Sequence, residues 1–265
     1  MKSVPIAAVA VAALLAVPAC TAPSGGRPSP ATASADGQEV RAVMPTWIHG
    51  LRVIGARGTG GACRWSTSYP SVPGARPLTR TLDREVRRGL RDFLAAHGHG
   101  GGCAGEFTIS YTFLAASGDV LGVQLTTAEG TAAGDGATSG SGTTTATYWY
   151  DGRSGEVLPA LAMVAPDAAG DLAGHLVRVL AARAGHDPRG LRALQDPAAR
   201  RAVLDDLAFT GCGNLVVTFD RGEVAAPPTG RQKVVLPRAA VEPLLSAFGR
   251  RVQRQAMRPR HEQDG

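Results

Sequence analysis

The residue with the most clearly specified chemistry in this chain is Cys20. It follows an early positive charge, Lys2, then the mostly apolar residues 4–17 and the small residues Pro18 and Ala19. This order is typical of a bacterial lipoprotein signal, in which the cysteine thiol is acylated and the chain is cleaved before it. An ordinary signal peptide with an incidental cysteine is the alternative. The sequence therefore predicts that Cys20 is the lipidated first residue of the mature chain.

The other three cysteines predict a disulfide and no metal site. Cys63 and Cys103 both follow glycine-rich segments, and flexible flanks ease the geometry that a disulfide requires. This pair is the preferred bridge, and Cys103–Cys212 is the alternative. Cys-x-x-Cys does not occur, and no Cys/His pair has the spacing of zinc ligands. We therefore expect no metal ion and no cofactor.

Residues 218–222 carry a partial likeness to a catalytic motif. They read Thr-Phe-Asp-Arg-Gly, whereas polysaccharide deacetylases have Thr-Phe-Asp-Asp-Gly, in which the second Asp binds a metal ion. Arg221 stands at that position, and a guanidinium cation cannot bind a metal ion. His97 and His99 are two residues apart and do not form the His-x-x-x-His partner of that motif. We interpret residues 218–222 as a core strand that meets a loop.

The remaining candidate catalytic groups lack the spacing of a known site. Gly-x-Ser-x-Gly does not occur, and His175 lies at the edge of a helical stripe, where a packed or exposed side chain is the better interpretation. Adjacent residues of a helix point apart, so Asp205 and Asp206 are predicted to form a solvated helix end. No catalytic residue is assigned, and we expect that the protein is not an enzyme.

Arginine supplies most of the positive charge. Lys plus Arg number 28 against 22 Asp plus Glu, which gives a formal net charge of +6, and aromatic residues make up 5%. Dispersed charge with few aromatic residues argues against nucleic-acid binding. One predicted helix face could meet anionic lipid headgroups or wall polymers, although intervening acidic residues favour an ordinary solvated face. Its arginines are Arg80, Arg84, Arg87, Arg88 and Arg91.

The elements that must position these residues follow from hydrophobic periodicity. Apolar residues recur every three or four positions over residues 78–94, which predicts an amphipathic helix. They alternate with polar residues over 107–113 and 121–125, which predicts a β-hairpin. The Thr-, Ala-, Gly- and Ser-rich residues 126–147 predict a long loop, and the last third of the chain predicts mainly helices. This order indicates an α+β fold, a largely antiparallel sheet packed with helices in a single domain.

Composition divides the chain into four parts. Residues 1–19 are the predicted signal peptide, and residues 20–39 are the lipidated cysteine and a tether too poor in apolar side chains to fold. The α+β domain spans residues 40–254, and a disordered basic tail spans residues 255–265. No later segment is long and apolar enough to span a bilayer, so we expect attachment through the lipid alone.

Two stretches match sequence patterns of a known family. Residues 147–151 read Thr-Tyr-Trp-Tyr-Asp and residues 154–158 read Ser-Gly-Glu-Val-Leu, close to Tyr-x-Phe-Asp and Thr-Gly-Lys-x-Leu. Residues 212–225, with Val-Val-Leu-Pro at 234–237, are similar to a second pattern, Gly-Leu-x-Phe-x-Phe-x-Pro-Tyr-Glu-Ile-Ala followed by Val-x-Ile-Pro-Tyr. Both patterns belong to the RsiV-like extracytoplasmic domain family, which this chain resembles over residues 40–252.

The resemblance implies a domain that acts by binding outside the membrane. The family includes a lysozyme-sensing anti-sigma factor, accessory domains of peptidoglycan deacetylases and secreted mycobacterial proteins. Its Gly-Gly-Ala-His hairpin loop corresponds to residues 134–140, which contain no histidine, so no role of that loop is transferred. We expect no anti-sigma role, because neither a transmembrane helix nor a sigma-binding segment is recognised before the domain.

The sequence thus predicts a lipid-anchored extracytoplasmic binding or sensing domain of the bacterial envelope. The expected partners are the membrane, through the lipid, and an envelope protein such as a muramidase or a cell-wall glycan. The oligomeric state is not assigned. Two alternatives stay open: a cell-wall hydrolase whose site is not visible in the sequence, and a purely structural envelope lipoprotein.

Overall fold

Residues 107–113, whose apolar and polar side chains alternate, lie in the central sheet of the fold. The computed structural model describes residues 39–45, 48–60, 63–97, 105–117, 119–132, 138–183, 185–227 and 230–258. The strands of the sheet are β1 (Arg52–Gly60), β2 (Cys63–Ser71), β3 (Gly105–Ser117), β4 (Val120–Ala132), β5 (Thr138–Asp151) and β6 (Glu156–Pro159). These six strands lie side by side in chain order. Neighbouring strands are antiparallel except β2 and β3, which are parallel.

One long helix, α1 (Arg76–His97), connects β2 to β3 and covers one face of the sheet. Leu78, Leu82, Val86 and Phe93 form its buried stripe. The Phe93 ring stacks on the ring of Phe107 in β3, with centroids 4.8 Å apart. The amphipathic helix and the β3–β4 hairpin predicted from the sequence are therefore confirmed.

The last third of the chain covers the other face of the sheet. It contains α2 (Ala169–Ala181), α3 (Pro188–Gln195), α4 (Pro197–Val203), β7 (Leu207–Phe209), β8 (Leu215–Phe219), β9 (Gln232–Leu236), α5 (Arg238–Val241) and α6 (Ala247–Ala256). The last three strands form a separate antiparallel sheet in the order β7-β8-β9. Trp149 of β5 belongs to this second core and is 1% exposed. Its ring lies against Gly122 of β4, where an added Cβ would be 2.7 Å from a ring carbon.

The threonine-rich residues after 126 are paired strands, so the predicted long loop is wrong. β4 continues to Ala132 and β5 begins at Thr138, with Thr127 opposite Thr144. Threonine is β-branched, and its side chain favours extended backbone. The threonine-rich residues therefore extend the two strands of the hairpin.

The architecture confirms the predicted α+β class. Two apolar cores lie on opposite faces of the large sheet, one under α1 and one under the C-terminal elements. Within the described residues, no helix combines the length and apolarity needed to cross a membrane.

Candidate functional site

The predicted cysteine sites lie partly outside the described residues. Cys20 and Cys103 lie outside the residues that the structure describes. Cys63 is 0% exposed at the start of β2, and its Sγ lies 3.8 Å from the carbonyl oxygen of His97 at the end of α1. Neither Cys63 nor Cys212 is a free cysteine. Acylation of Cys20 and the pairing of Cys63 with Cys103 stay predictions.

The arginine face of α1 is mostly neutralised by its own acidic residues. Arg87 contacts Asp83 at 2.9 Å, Arg84 contacts Glu85 at 3.6 Å, and Arg88 also pairs with Glu85. Asp83 additionally accepts a hydrogen bond of 2.5 Å from the Tyr69 hydroxyl on β2, so it joins the helix to the sheet. This middle part of the face is therefore a solvated, ion-paired surface, as predicted.

Asp205 and Asp206 do not form a solvated helix end, and that prediction is wrong. α4 ends at Val203, and the chain then turns inward to begin β7. Asp206 is 2% exposed. Its carboxylate accepts hydrogen bonds from Thr145 Oγ1 at 2.5 Å and from Gln124 Nε2 at 2.9 and 3.0 Å. The two residues therefore join the C-terminal part of the chain to β4 and β5.

These acidic residues also complete the edge of β5. β6 pairs only with residues 148–151 of that strand, so the preceding residues need other partners for their outward N–H groups. The Thr147 N–H donates to the carbonyl oxygen of Asp205 at 3.0 Å. The Thr145 N–H donates to both carboxylate oxygens of Asp220, at 3.0 and 3.1 Å. A carbonyl and a carboxylate thus replace a neighbouring strand.

Asp220 lies in residues 218–222, the segment that is interpreted from the sequence as a core strand that meets a loop. Phe219 ends β8 and is buried, and Asp220 begins a turn, which agrees with a core strand that meets a loop. The Asp220 N–H donates to Glu223 Oε2 at 2.7 Å. Arg231 Nε lies 3.6 Å from Asp220 Oδ1. We define Asp205, Asp206, Asp220 and Glu223 as the acidic network.

The acidic network holds protons more tightly than exposed carboxyl groups do. Burial, followed by the negative charges of Glu223, Asp206 and Asp220, raises the pKa of Asp205 to about 7. Burial is also the main cause of the raised pKa values of Asp206, Asp220 and Glu223. At neutral pH Asp205 therefore exists in both protonation states, which is a property that binding and catalytic sites share.

Asp205 faces a cleft, which we call the Tyr148 cleft. The cleft has a volume of about 310 Å³ and lies between α1, β5, β6 and the segment that follows α4. Its charged lining comes from Arg84, Glu85, Arg201 and Asp205, and its remaining wall is Thr81, Ala146, Thr147, Tyr148, Val157, Leu158, Pro159 and Ala160. Aliphatic and aromatic side chains with a few charged groups are the usual lining of a ligand pocket.

Tyr148 lines this cleft, packs in part against the core under α1, and has a neutral hydroxyl. Burial, and then the negative charge of Glu85, raise the pKa of the Tyr148 hydroxyl well above its ordinary value of 10.0. The hydroxyl therefore stays protonated and can both donate and accept a hydrogen bond. Among the described residues, no group of three or more His, Cys, Asp and Glu side chains is arranged to hold a metal ion.

The acidic network predicts a pH-dependent stability. Asp205 has an ordinary pKa of 3.8 when unfolded and about 7 when folded, so the folded state binds the proton more tightly. Stability is therefore expected to fall as pH rises from about 4 to about 7, and to level off above that. In Asp205→Asn the side chain cannot ionise, so the loss between pH 5 and pH 8 should shrink by about 2 kcal/mol.

Urea unfolding at both pH values measures this difference. Asp171→Asn, which removes an exposed carboxyl group from α2, is the matched control. Its free energy of unfolding should change between pH 5 and pH 8 by as much as that of the wild type. An equal change in the free energy of unfolding between pH 5 and pH 8 for Asp205→Asn and the wild type would contradict the raised pKa of Asp205.

The solved structures that are similar to this chain include two proteins of the DUF3298 family. The structure of a family member from Bacteroides fragilis has 10% sequence identity and a TM-score of 0.48, and the match covers 74% of this chain and 93% of that chain. A family protein from Pseudomonas aeruginosa has 14% identity and a TM-score of 0.46, with 74% and 94% covered. No protein-family model matches the chain, and no curated protein matches it.

Proposed function

We propose that this chain is a lipid-anchored extracytoplasmic domain that binds a component of the bacterial envelope and is not an enzyme. The ligand is a cell-wall glycan, or a protein that acts on one, such as a muramidase. The observation that carries the proposal is the Tyr148 cleft, where an aromatic ring, aliphatic side chains and charged groups of both signs converge from separate elements. The predicted lipid at Cys20 holds this cleft near the wall.

The composition of the cleft favours a neutral, hydroxyl-rich ligand. The positive groups of Arg84 and Arg201 are accompanied by the acidic side chains of Glu85 and Asp205, so the lining favours neither charge strongly. Sugar hydroxyl groups both donate and accept hydrogen bonds, as do the Tyr148 hydroxyl and a partly protonated Asp205. Tyr148, whose side chain also packs against the core under α1, offers the part of its aromatic surface that lines the cleft to a sugar ring.

Binding of the full chain to purified peptidoglycan and to immobilised lysozyme tests the proposal. Tyr148→Ala should weaken binding about tenfold, because the cleft loses its aromatic contact. Tyr148→Phe retains the ring and should bind more tightly than the alanine variant. Arg84→Ala changes a cleft side chain that is 68% exposed, so it reduces binding without a large effect on folding.

The lipid anchor and the binding activity are tested by separate measurements. Cys20→Ala should abolish labelling of the chain by fatty acid and release it from membranes. The proposal fails if neither peptidoglycan nor lysozyme is retained by the folded wild-type chain. Retention of lysozyme alone would identify the muramidase as the partner.

A cell-wall hydrolase is the second candidate function. Asp205 favours it, because a carboxyl group with a pKa of about 7 beside a cleft suits general acid–base catalysis. In the described residues, however, no hydrogen bond joins the Asp205 carboxyl group to the Tyr148 or Thr147 hydroxyl. Release of soluble fragments from peptidoglycan by the wild type, but not by Asp205→Asn, would replace the binding proposal with this one.

A further inference from the structure

A second cleft lies where the first turns of α1 meet the β1–β2 hairpin. Its volume is about 460 Å³, and it is lined by Gly50, Arg52, Ser71, Val72, Pro73, Arg76, Thr79 and Arg80. Arg52 at the start of β1 is opposite Ser71 at the end of β2, and Arg76 and Arg80 lie one helical turn apart on α1. Three guanidinium groups from two elements therefore surround one space, and none of the described residues that line it is acidic.

Like Arg91 farther along α1, these three arginines have no side-chain partner among the described residues. Within the ranges that the structure describes, no hydrogen bond or ion pair involves the side chain of Arg52, Arg76 or Arg80. Farther along the same helix, Arg84 and Arg87 are paired with Glu85 and Asp83. The arginines in the middle of α1 are thus ion-paired, whereas Arg76 and Arg80 at its beginning are not.

The position of the arginines on the helix makes this uncompensated charge more unfavourable. The N-terminal end of a helix carries a positive partial charge, and acidic residues are the side chains that stabilise it. Neither the first turn of α1 nor the preceding 3-10 turn at Pro73–Ala75 contains an acidic residue. Arg76 and Arg80 instead add positive charge at this end, and they repel each other across one turn. A bound anion would compensate all of these charges.

We propose that this cleft, the arginine cleft, binds the phosphate group of a phosphate ester. A carboxylate has two oxygens and is satisfied by one guanidinium fork, whereas three guanidinium groups match an anion that presents several oxygens in three dimensions. The phosphate belongs either to a soluble ester or to the headgroup of an anionic phospholipid, because both present the same chemistry. The site is separate from the Tyr148 cleft and goes beyond the proposed function.

The experiment compares two variants that lose the same charge from the full chain. Arg76→Gln/Arg80→Gln removes two guanidinium groups of the cleft. Arg91→Gln/Arg189→Gln removes two exposed arginines elsewhere and is the control. All chains also carry Cys20→Ser, so that a fatty acid on Cys20 does not attach them to vesicles. The probes are glycerol 3-phosphate by titration calorimetry, and vesicles of phosphatidylglycerol or phosphatidylcholine by sedimentation.

The cleft variant is expected to bind glycerol 3-phosphate or phosphatidylglycerol vesicles at least tenfold more weakly than the control does. It should also melt at the same temperature as the wild type or higher, because like charges have been removed from a helix N-terminus. Binding of vesicles alone assigns the headgroup as the source, and binding of the soluble ester alone assigns a free phosphate.

Two results overturn the proposal. In the first, the chain with intact arginines binds neither glycerol 3-phosphate nor phosphatidylglycerol vesicles. In the second, the cleft variant binds as tightly as the control. Peptidoglycan binding by the same variants reports on the Tyr148 cleft, so failure of this proposal is distinguishable from failure of the proposed function.

Discussion

Gly249→Ala is expected to destabilise the domain by at least about 3 kcal/mol, because α6 has no room for a side chain at this position. An added Cβ would overlap the carbonyl oxygen of Met163 and lie 2.7 Å from its carbonyl carbon. Both atoms belong to the backbone, so no side-chain rotation relieves the overlap. The helix would have to move away from the turn at Ala160–Met163.

Ser246 prevents that movement by holding the start of α6 to the same turn. Its N–H donates to the Met163 carbonyl oxygen at 2.9 Å, and its hydroxyl donates to the Ala162 carbonyl oxygen at 2.7 Å. The same hydroxyl accepts the Gly249 N–H at 3.0 Å, as an N-cap. Displacement of α6 would therefore break these hydrogen bonds and expose Phe248 and Val252, which are buried.

Urea unfolding of Gly249→Ala and Gly174→Ala measures this effect with a matched control. Gly174 also lies inside a helix, α2, but the nearest atom to an added Cβ is Arg178 Nη1 at 3.9 Å. Alanine is the better helix former, so Gly174→Ala should stabilise the domain by about 0.5–1 kcal/mol. A loss below about 1 kcal/mol for Gly249→Ala would mean that α6 does not pack against Met163 as described.

Arg251→Met is expected to cost about 3–5 kcal/mol, because it leaves a carboxylate buried without its cation. The side chains of Arg251 and Asp151 are 13% and 12% exposed, and they pair between α6 and the end of β5. Arg251 Nε also lies 3.8 Å from Asp119, and its guanidinium is 5.4 Å from the centre of the Phe248 ring. Methionine preserves most of the apolar contact and removes the charge together with the hydrogen bond that the guanidinium donates to Asp151.

A second substitution separates the charge effect from packing. Asp151→Asn in the Arg251→Met background should recover most of the lost stability, because the uncompensated charge is gone. The backbone N–H of Arg153 donates to Asp151 Oδ1 at 3.0 Å in the wild type, and the amide oxygen of Asn can still accept it. Arg238→Met breaks an exposed pair with Glu242, whose side chains are 48% and 50% exposed, and should cost below about 0.5 kcal/mol. Equal losses for Arg251→Met and Arg238→Met would refute the buried pair.

Local sequence patterns were sufficient for the elements that bury one side. The alternation from Phe107 to Phe113 and the spacing of Leu78, Leu82 and Val86 each repeat over several turns or residues, so neighbouring positions support the same assignment. The threonine-rich hairpin was missed because its outward residues are not strongly apolar. Its β-branched threonines were the available signal.

The candidate site could not be predicted in the same way, because it depends on contacts between distant residues. Thr145 and Asp220 are 75 positions apart in the chain, and Gln124 and Asp206 are 82 apart. Nothing near Asp206 in the sequence identifies its partners. Tyr148 alternates with buried residues of β5, and the cleft beside it is lined by residues of α1, β6 and the segment after α4, most of which lie far from it in the sequence.

The way in which the edge of β5 is completed also constrains the order of folding. The groups that satisfy Thr145 and Thr147 come from residues 205–220, which are synthesised long after the strand itself. Until those residues arrive, the hairpin of β4 and β5 presents unsatisfied N–H groups along an open edge, where a strand of another chain can pair. The edge of the large sheet is therefore complete only after the last third of the chain has been synthesised. The sheet reaches its final fold late, after its own strands have been made.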